Sequence, residues 1–265
     1  MSWINNYFRW KFAFLLVAMV SVFLLRMMHR LFLLPDQLVE STGVLLLLPA
    51  ILSLLNDRRL RVVALVTGIP VILLVLISNF VPASGVHFPR LMARMATSAY
   101  MLFVVFAILR LLVTTVNVTL DELVGAFAGY LLVGVLFAEL YCVALMLDPG
   151  AVAGDADLSM PHMSVVDPDE ASRIDLRQAV ERWNRAQYFS FVTLTTVGYG
   201  DLHPRTPLAR MLAVIEAVTG QFYLAVMVAG LVGIGASQHH SRRLQARIRH
   251  GLQTEATKEA GPTHG

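Results

Sequence analysis

The sequence predicts an all-α membrane protein with six transmembrane helices and one re-entrant segment, and three observations carry that prediction. The chain is 57% hydrophobic and only 15% charged, with a mean hydropathy of +0.66, whereas soluble domains carry about 25% charged residues. Six apolar runs, about 12–34, 38–55, 62–81, 91–113, 122–147 and 207–236, are each near the length of about 20 residues that a helix needs to cross a bilayer. A seventh, about 186–197, is too short to span and leads into Thr195-Thr196-Val197-Gly198-Tyr199-Gly200-Asp201. Backbone that enters a membrane without crossing it is tolerated only where protein or water covers it, so this stretch reads as re-entrant.

The first run follows WINNYFRWK with no small-residue cleavage pattern behind it, which predicts a retained helix and not a removed signal peptide. Arg26 and Arg30 sit in its outer half at i, i+4 spacing; they share a face that either snorkels to the headgroups, packs on other helices or carries a functional charge. Basic residues near span ends mark the cytoplasmic side. Arg58, Arg59 and Arg61 fill the turn between runs two and three, and Arg242, Arg243, Arg247 and Arg249 follow the last run. An even number of crossings separates the two clusters, so both termini are expected in the cytoplasm of a multi-pass cell-membrane protein. The connection 148–185 then lies outside, with eight acidic residues against four arginines. The single cysteine, Cys142, permits no intrachain disulfide. No nucleophile–base pair, phosphate loop, HExxH or Cys/His cluster appears, so neither an enzyme nor a structural metal is expected, and nothing points to nucleic acid.

In an ordinary strand, side chains and carbonyls alternate sides. Successive carbonyls line one side only if alternate residues take mirror-image dihedrals, which glycine does at little cost. Gly198 and Gly200 alternate with Val197 and Tyr199 in that way. Thr196 to Gly200 then form a ladder roughly 15 Å long at about 3 Å per residue, with the Thr196 hydroxyl at its inner end. One chain gives a wall and four give a tube. At this point the sequence resembles the selectivity filter of potassium channels, tetrameric cation channels with a TVGYG filter. The resemblance implies that backbone carbonyls of Thr196, Val197, Gly198 and Tyr199 from four subunits replace the hydration shell of K⁺, the permeant ion, with no other cofactor. It implies a pore helix in Tyr188-Phe189-Ser190-Phe191-Val192-Thr193-Leu194. Filter support would come from Thr195, from Asp201 hydrogen-bonding the pore-helix region, and from Tyr188 and Phe189 packing on Tyr199. Residues 122–240 resemble the two-helix pore module; the first 120 match in span count alone.

The expected organisation is a four-helix N-terminal domain, 1–118, a pore domain, 119–240, with outer helix, turret, pore helix, filter and inner helix, and a short cytoplasmic tail, 241–265. Gly220 falls where the resemblance implies a gating hinge; close packing on the pore helix is the alternative. Gly230, Gly233 and Gly235, and the pair Gly125 and Gly129, read as packing positions. Glu216 is a lone carboxylate in an apolar helix, either structural or an ion or proton site. His203 is a candidate pH sensor at the outer mouth, since imidazole titrates near pH 6.5; a passive surface role is the alternative. A voltage sensor needs arginine at every third position, but after Arg90 and Arg94 the fourth run has Thr97, Tyr100, Phe103 and Phe106 before Arg110, and run three lacks Asp and Glu. The expected function is a passive, homotetrameric K⁺-selective channel in the lipid bilayer, voltage-insensitive or weakly voltage-dependent. The alternatives are a voltage-gated potassium channel and a potassium uptake transporter subunit, whose family carries four degenerate filters in one chain.

Overall fold

A computed structural model describes residues 11–32, 58–80, 87–114, 120–154, 168–227 and 229–230. Among them lie helices α1 (Lys11–Phe32), α2 (Arg58–Phe80), α3 (His87–Thr114), α4 (Leu120–Leu147), α5 (Pro168–Leu194) and α6 (Pro207–Met227), and two short strands, β1 (Val152–Ala153) and β2 (His203–Pro204). The chain divides into two compact units, Met1–Gln221 and Phe222–Gly265; the packing described below is that of the first. The expected span at 38–55, Gly233, Gly235 and the tail 241–265 lie outside the described residues. Phe88–Arg110, Leu123–Leu147 and Pro207–Met227 are long and apolar enough to cross a membrane, and Phe12–Leu25 and Val62–Ser78 are shorter apolar stretches in α1 and α2.

Helix α4 is the hub. It is buried without a break from Leu132 to Glu139, as expected of a helix that is apolar on all sides, and it packs against α1, α3 and α5. Phe12 of α1 fills the space over Gly125, where an added Cβ would lie 2.7 Å from its ring. The first turn of α1 has amides with no partner inside the helix, and Asp121 of α4 accepts one of them from Ala13 at 3.3 Å. Further along, Phe23 meets Phe191 of α5 edge-on at 5.8 Å, and Phe191 in turn lies against Gly134. Residues 12 to 23 of α1 thus follow 125 to 134 of α4, and the two helices run in parallel.

Helix α3 shows why the arginine repeat stops. Thr97 is buried and donates to the Ala93 carbonyl at 2.9 Å, and the buried Tyr100 hydroxyl reaches across to the Ala64 carbonyl of α2 at 3.2 Å. Between membrane helices, where lipid is as apolar as leucine, such bonds are worth about 0.6 kcal/mol on average. Of the positions that a sensor would charge, Tyr100 fastens α3 to α2 and Thr97 bonds back into its own helix.

The connection 148–185 differs from the expected outer loop. Its second half is helical and continuous with the pore helix, so that α5 is 27 residues long. Asp167-Pro168-Asp169-Glu170 carries the start signal: proline preset for the first helical position, with acidic residues where the dipole favours them. Beyond it, Val180, Trp183, Ala186, Gln187, Ser190 and Leu194 are buried, at the three- and four-residue steps of one helix face.

Candidate ion-conduction site

The extended segment is launched by the end of α5. Thr196 N donates to Thr193 O at 3.0 Å and Val197 N to Val192 O at 3.0 Å, the paired bonds of a Schellman motif, whose penultimate residue takes a left-handed conformation. That residue is Thr196, with φ 59°. A β-branched side chain is a genuine outlier there, and glycine is the usual choice. Gly198 N adds a second bond to Val192 O at 3.3 Å, and Thr195 Oγ1 donates to Phe191 O at 2.5 Å.

From Thr196 the handedness alternates. Gly198 has φ 56° and Gly200 φ 80°, while Val197 and Tyr199 stay on the ordinary side. Such alternation turns successive carbonyls toward one side of the strand, where uniform strand geometry would send them to opposite sides. A Cβ added to Gly198 or Gly200 would meet nothing within 4 Å in the single chain, so within the chain both glycines are required by dihedral angle and not by space. Residues 195–201 are exposed in the single chain, Tyr199 at 71%.

The outer end is clamped. Asp148 stops α4 with an Asx turn, accepting Gly150 N on Oδ1 at 2.8 Å. β1 and β2 then pair antiparallel, Val152 opposite Pro204 and Ala153 opposite His203, and Arg205 N donates to Ala151 O at 2.9 Å. Gly154 lies so close to the strand that a Cβ there would stand 2.6 Å from Asp201 O. Asp201 Oδ2 accepts from the Tyr188 hydroxyl at 2.8 Å, a bond that, with smaller contributions from desolvation and nearby charge, raises the tyrosine's pKa above its ordinary 10.0. His203 is engaged as well: its Nε2 accepts from Arg205 Nε at 3.3 Å.

Two further expected residues have the following surroundings. Phe189, expected on Tyr199, is buried with its ring 4.9 Å from that of Tyr141 on α4. Gly220 lies in an unbroken helix, and an added Cβ would stand 2.9 Å from both Leu194 O and Leu194 Cδ1. The pore helix therefore demands a small residue at 220 whatever the inner helix does. α6 itself starts at a Thr-Pro pair, with Thr206 Oγ1 accepting Ala209 N at 3.3 Å, the N-cap role, and Pro207 in the first helical position.

Of the residues that fasten the site from behind, sequence reasoning singled out Glu216, with a structural role as one of its two readings, and missed Tyr130, Glu139 and the partners of both carboxylates. Tyr130 donates to Leu194 O at 3.0 Å. Glu139 of α4 is buried and receives Trp183 Nε1 of α5 at 3.0 Å and Arg94 of α3 at 3.1 Å. Glu216 of α6 receives Tyr141 of α4 at 2.8 Å and contacts Ser190 of α5. The available signal was chemical: a carboxylate inside an apolar helix needs partners, and Glu139 stands in the most apolar of the described helices.

Outer helix, re-entrant pore helix, strand of alternating hand and inner helix together define an all-α membrane protein with a potassium-channel pore fold. Residues 170–235 match the family model described as ion channel. The chain is 33% identical over 85 residues to Two-pore potassium channel 5 of Arabidopsis thaliana, covering 27% of this chain and 20% of that protein. It is 38% identical over 47 residues to Two pore potassium channel c of Oryza sativa subsp. japonica, covering 18% of this chain and 10% of the other. The chain thus spans a fifth or less of the length of these curated relatives. No solved structure matches significantly. The ion-channel domain and these relatives support a potassium channel family, and a channel in a membrane in preference to an enzyme.

Proposed function

We propose that the chain is one subunit of a homotetrameric K⁺-selective channel that conducts passively, with Thr196, Val197, Gly198 and Tyr199 presenting carbonyls to the ion and Gly200 closing the outer end. The observation that carries this reading is the alternation of positive φ at Thr196, Gly198 and Gly200, directly after a helix whose last turn aims its negative dipole end toward the same region. Two exposures favour assembly. The strand is uncovered in the single chain, and on α6 Met211, Val214 and Val218 form an apolar exposed stripe opposite the buried face of Ala209, Glu216 and Gly220. Copies of the chain around a central axis supply what is missing from both.

Voltage dependence is weak or absent in this reading, both termini are cytoplasmic, and Gly220 is a packing position first. Reversal potentials of the purified protein in opposed K⁺ and Na⁺ gradients test it. The expected potential follows the K⁺ gradient, in particles of four 29.3 kDa chains by native mass. A potential near zero, or flux coupled to a second ion, rejects it.

A further inference from the structure

Glu216 is fully buried, and its protonation can be counted from geometry. Three oxygen–oxygen contacts form a chain behind the filter: Tyr141 Oη to Glu216 Oε2 at 2.8 Å, Glu216 Oε1 to Ser190 Oγ, and Ser190 Oγ to Gly134 O at 2.7 Å. Each needs one proton. A tyrosine and a serine hydroxyl carry one donor hydrogen apiece, a backbone carbonyl carries none, and an ionised carboxylate carries none. An ionised Glu216 therefore leaves one contact with lone pairs facing each other. A proton on Oε1 completes the set: Tyr141 donates to Oε2, Oε1–H donates to Ser190, and Ser190 donates to Gly134 O. Charge argues in the same direction. The groups facing Glu216 from α4 and α5 are hydroxyls, and among the described residues no Lys, Arg or His pairs with it; a buried carboxylate without a cation neutralises itself by taking a proton.

We infer that Glu216 is held as a neutral carboxylic acid and acts as a positioning residue for the filter, linking α6 to the pore helix through Ser190 and to the outer helix through Tyr141. Ser190 lies four residues before Leu194, whose carbonyl takes the Tyr130 hydroxyl, and one turn of helix separates it from the Schellman motif that sets Thr196. This role rests on the channel reading; the protonation state does not.

The test separates the two. Infrared difference spectra of the full-length protein against Glu216→Gln are expected to lose a carboxylic-acid C=O stretch. A glutamine can donate from its amide nitrogen to Ser190 and accept from Tyr141 on its oxygen, so Glu216→Gln is expected to keep the K⁺ over Na⁺ permeability ratio of the parent. Glu216→Ala is expected to lower it by roughly tenfold, the scale of lost outer support around an ion site. Loss of a carboxylate stretch in place of the acid band overturns the neutral state. A Glu216→Gln protein that is folded but loses selectivity, or a Glu216→Ala protein that keeps it, overturns the positioning role. A parent protein whose reversal potential ignores K⁺ defeats the channel reading and leaves the infrared result to stand alone.

Discussion

At the scale of single residues, the filter's demands are separable because two kinds of requirement fall on different positions. Gly198 has open space around it and a φ of 56°, so an L side chain there pays for handedness alone, about 1–2 kcal/mol. L-Ala at 198 is therefore expected to abolish K⁺ selectivity, whereas D-Ala, introduced by semisynthesis, restores it; equal loss in both would show that space, not angle, is limiting. Tyr188 makes a different prediction. Its hydroxyl is the donor to Asp201, and that bond holds the pKa above 10.0. The sign follows from a raised value on a group that binds when protonated: the bond is intact below the ordinary tyrosine range and is lost as pH rises through the raised value. Channel current is thus expected to be steady through neutral pH and to decline in strongly alkaline solution. Tyr188→Phe lacks the bond at every pH, so its current should show no such alkaline step.

At the scale of helices, the contact between Gly220 and Leu194 supports the packing role among the two that the sequence left open. A Cβ 2.9 Å from a backbone carbonyl cannot be accommodated by rotating a side chain, and overpacking of this kind costs about 1–3 kcal/mol. Gly220→Ala is expected to lower the thermal stability of the assembled protein. A pure hinge residue behaves otherwise: alanine would leave stability intact and reduce open probability only. The same helices mark what the sequence could show. Gly198 and Gly200 were legible because a mirror-image dihedral is a property of one residue type, and α6 because Thr206-Pro207 opens a long apolar run. The first part of α5 was hidden by its composition; acidic and polar residues read as loop until Pro168, the acidic first turn and the buried stripe through Val180, Trp183 and Ala186 are taken together. Partners such as Glu139 and Trp183, or Tyr141 and Glu216, were not legible. Their pairing depends on how helices distant in sequence are rotated against each other, and no local pattern records that.

At the scale of the whole molecule, the Glu139 cluster ties α3 to α4 and α5 and bears on the weak voltage dependence proposed above. Arg94 and Glu139 form a largely buried ion pair, with side chains 18% and 4% exposed, and Glu139 is also held by Trp183 of the pore helix. Breaking a buried pair by removing one partner costs about 3–5 kcal/mol. Moving one charge through the entire field supplies about 2.3 kcal/mol per 100 mV, and a displacement that merely separates the pair samples a fraction of that field. In the proposed reading Arg94 therefore stays with Glu139 at ordinary membrane potentials, while the next positions of the repeat, Thr97 and Tyr100, carry no charge and are bonded within α3 and to α2. The expected conductance–voltage relation is shallow in the parent protein. Arg94→Gln should leave its steepness unchanged while lowering stability, because Glu139 then loses its cation, and Arg94→Gln with Glu139→Gln should recover part of that loss. A steep relation that flattens in Arg94→Gln would mean that the pair parts during gating, and that these helices respond to voltage after all.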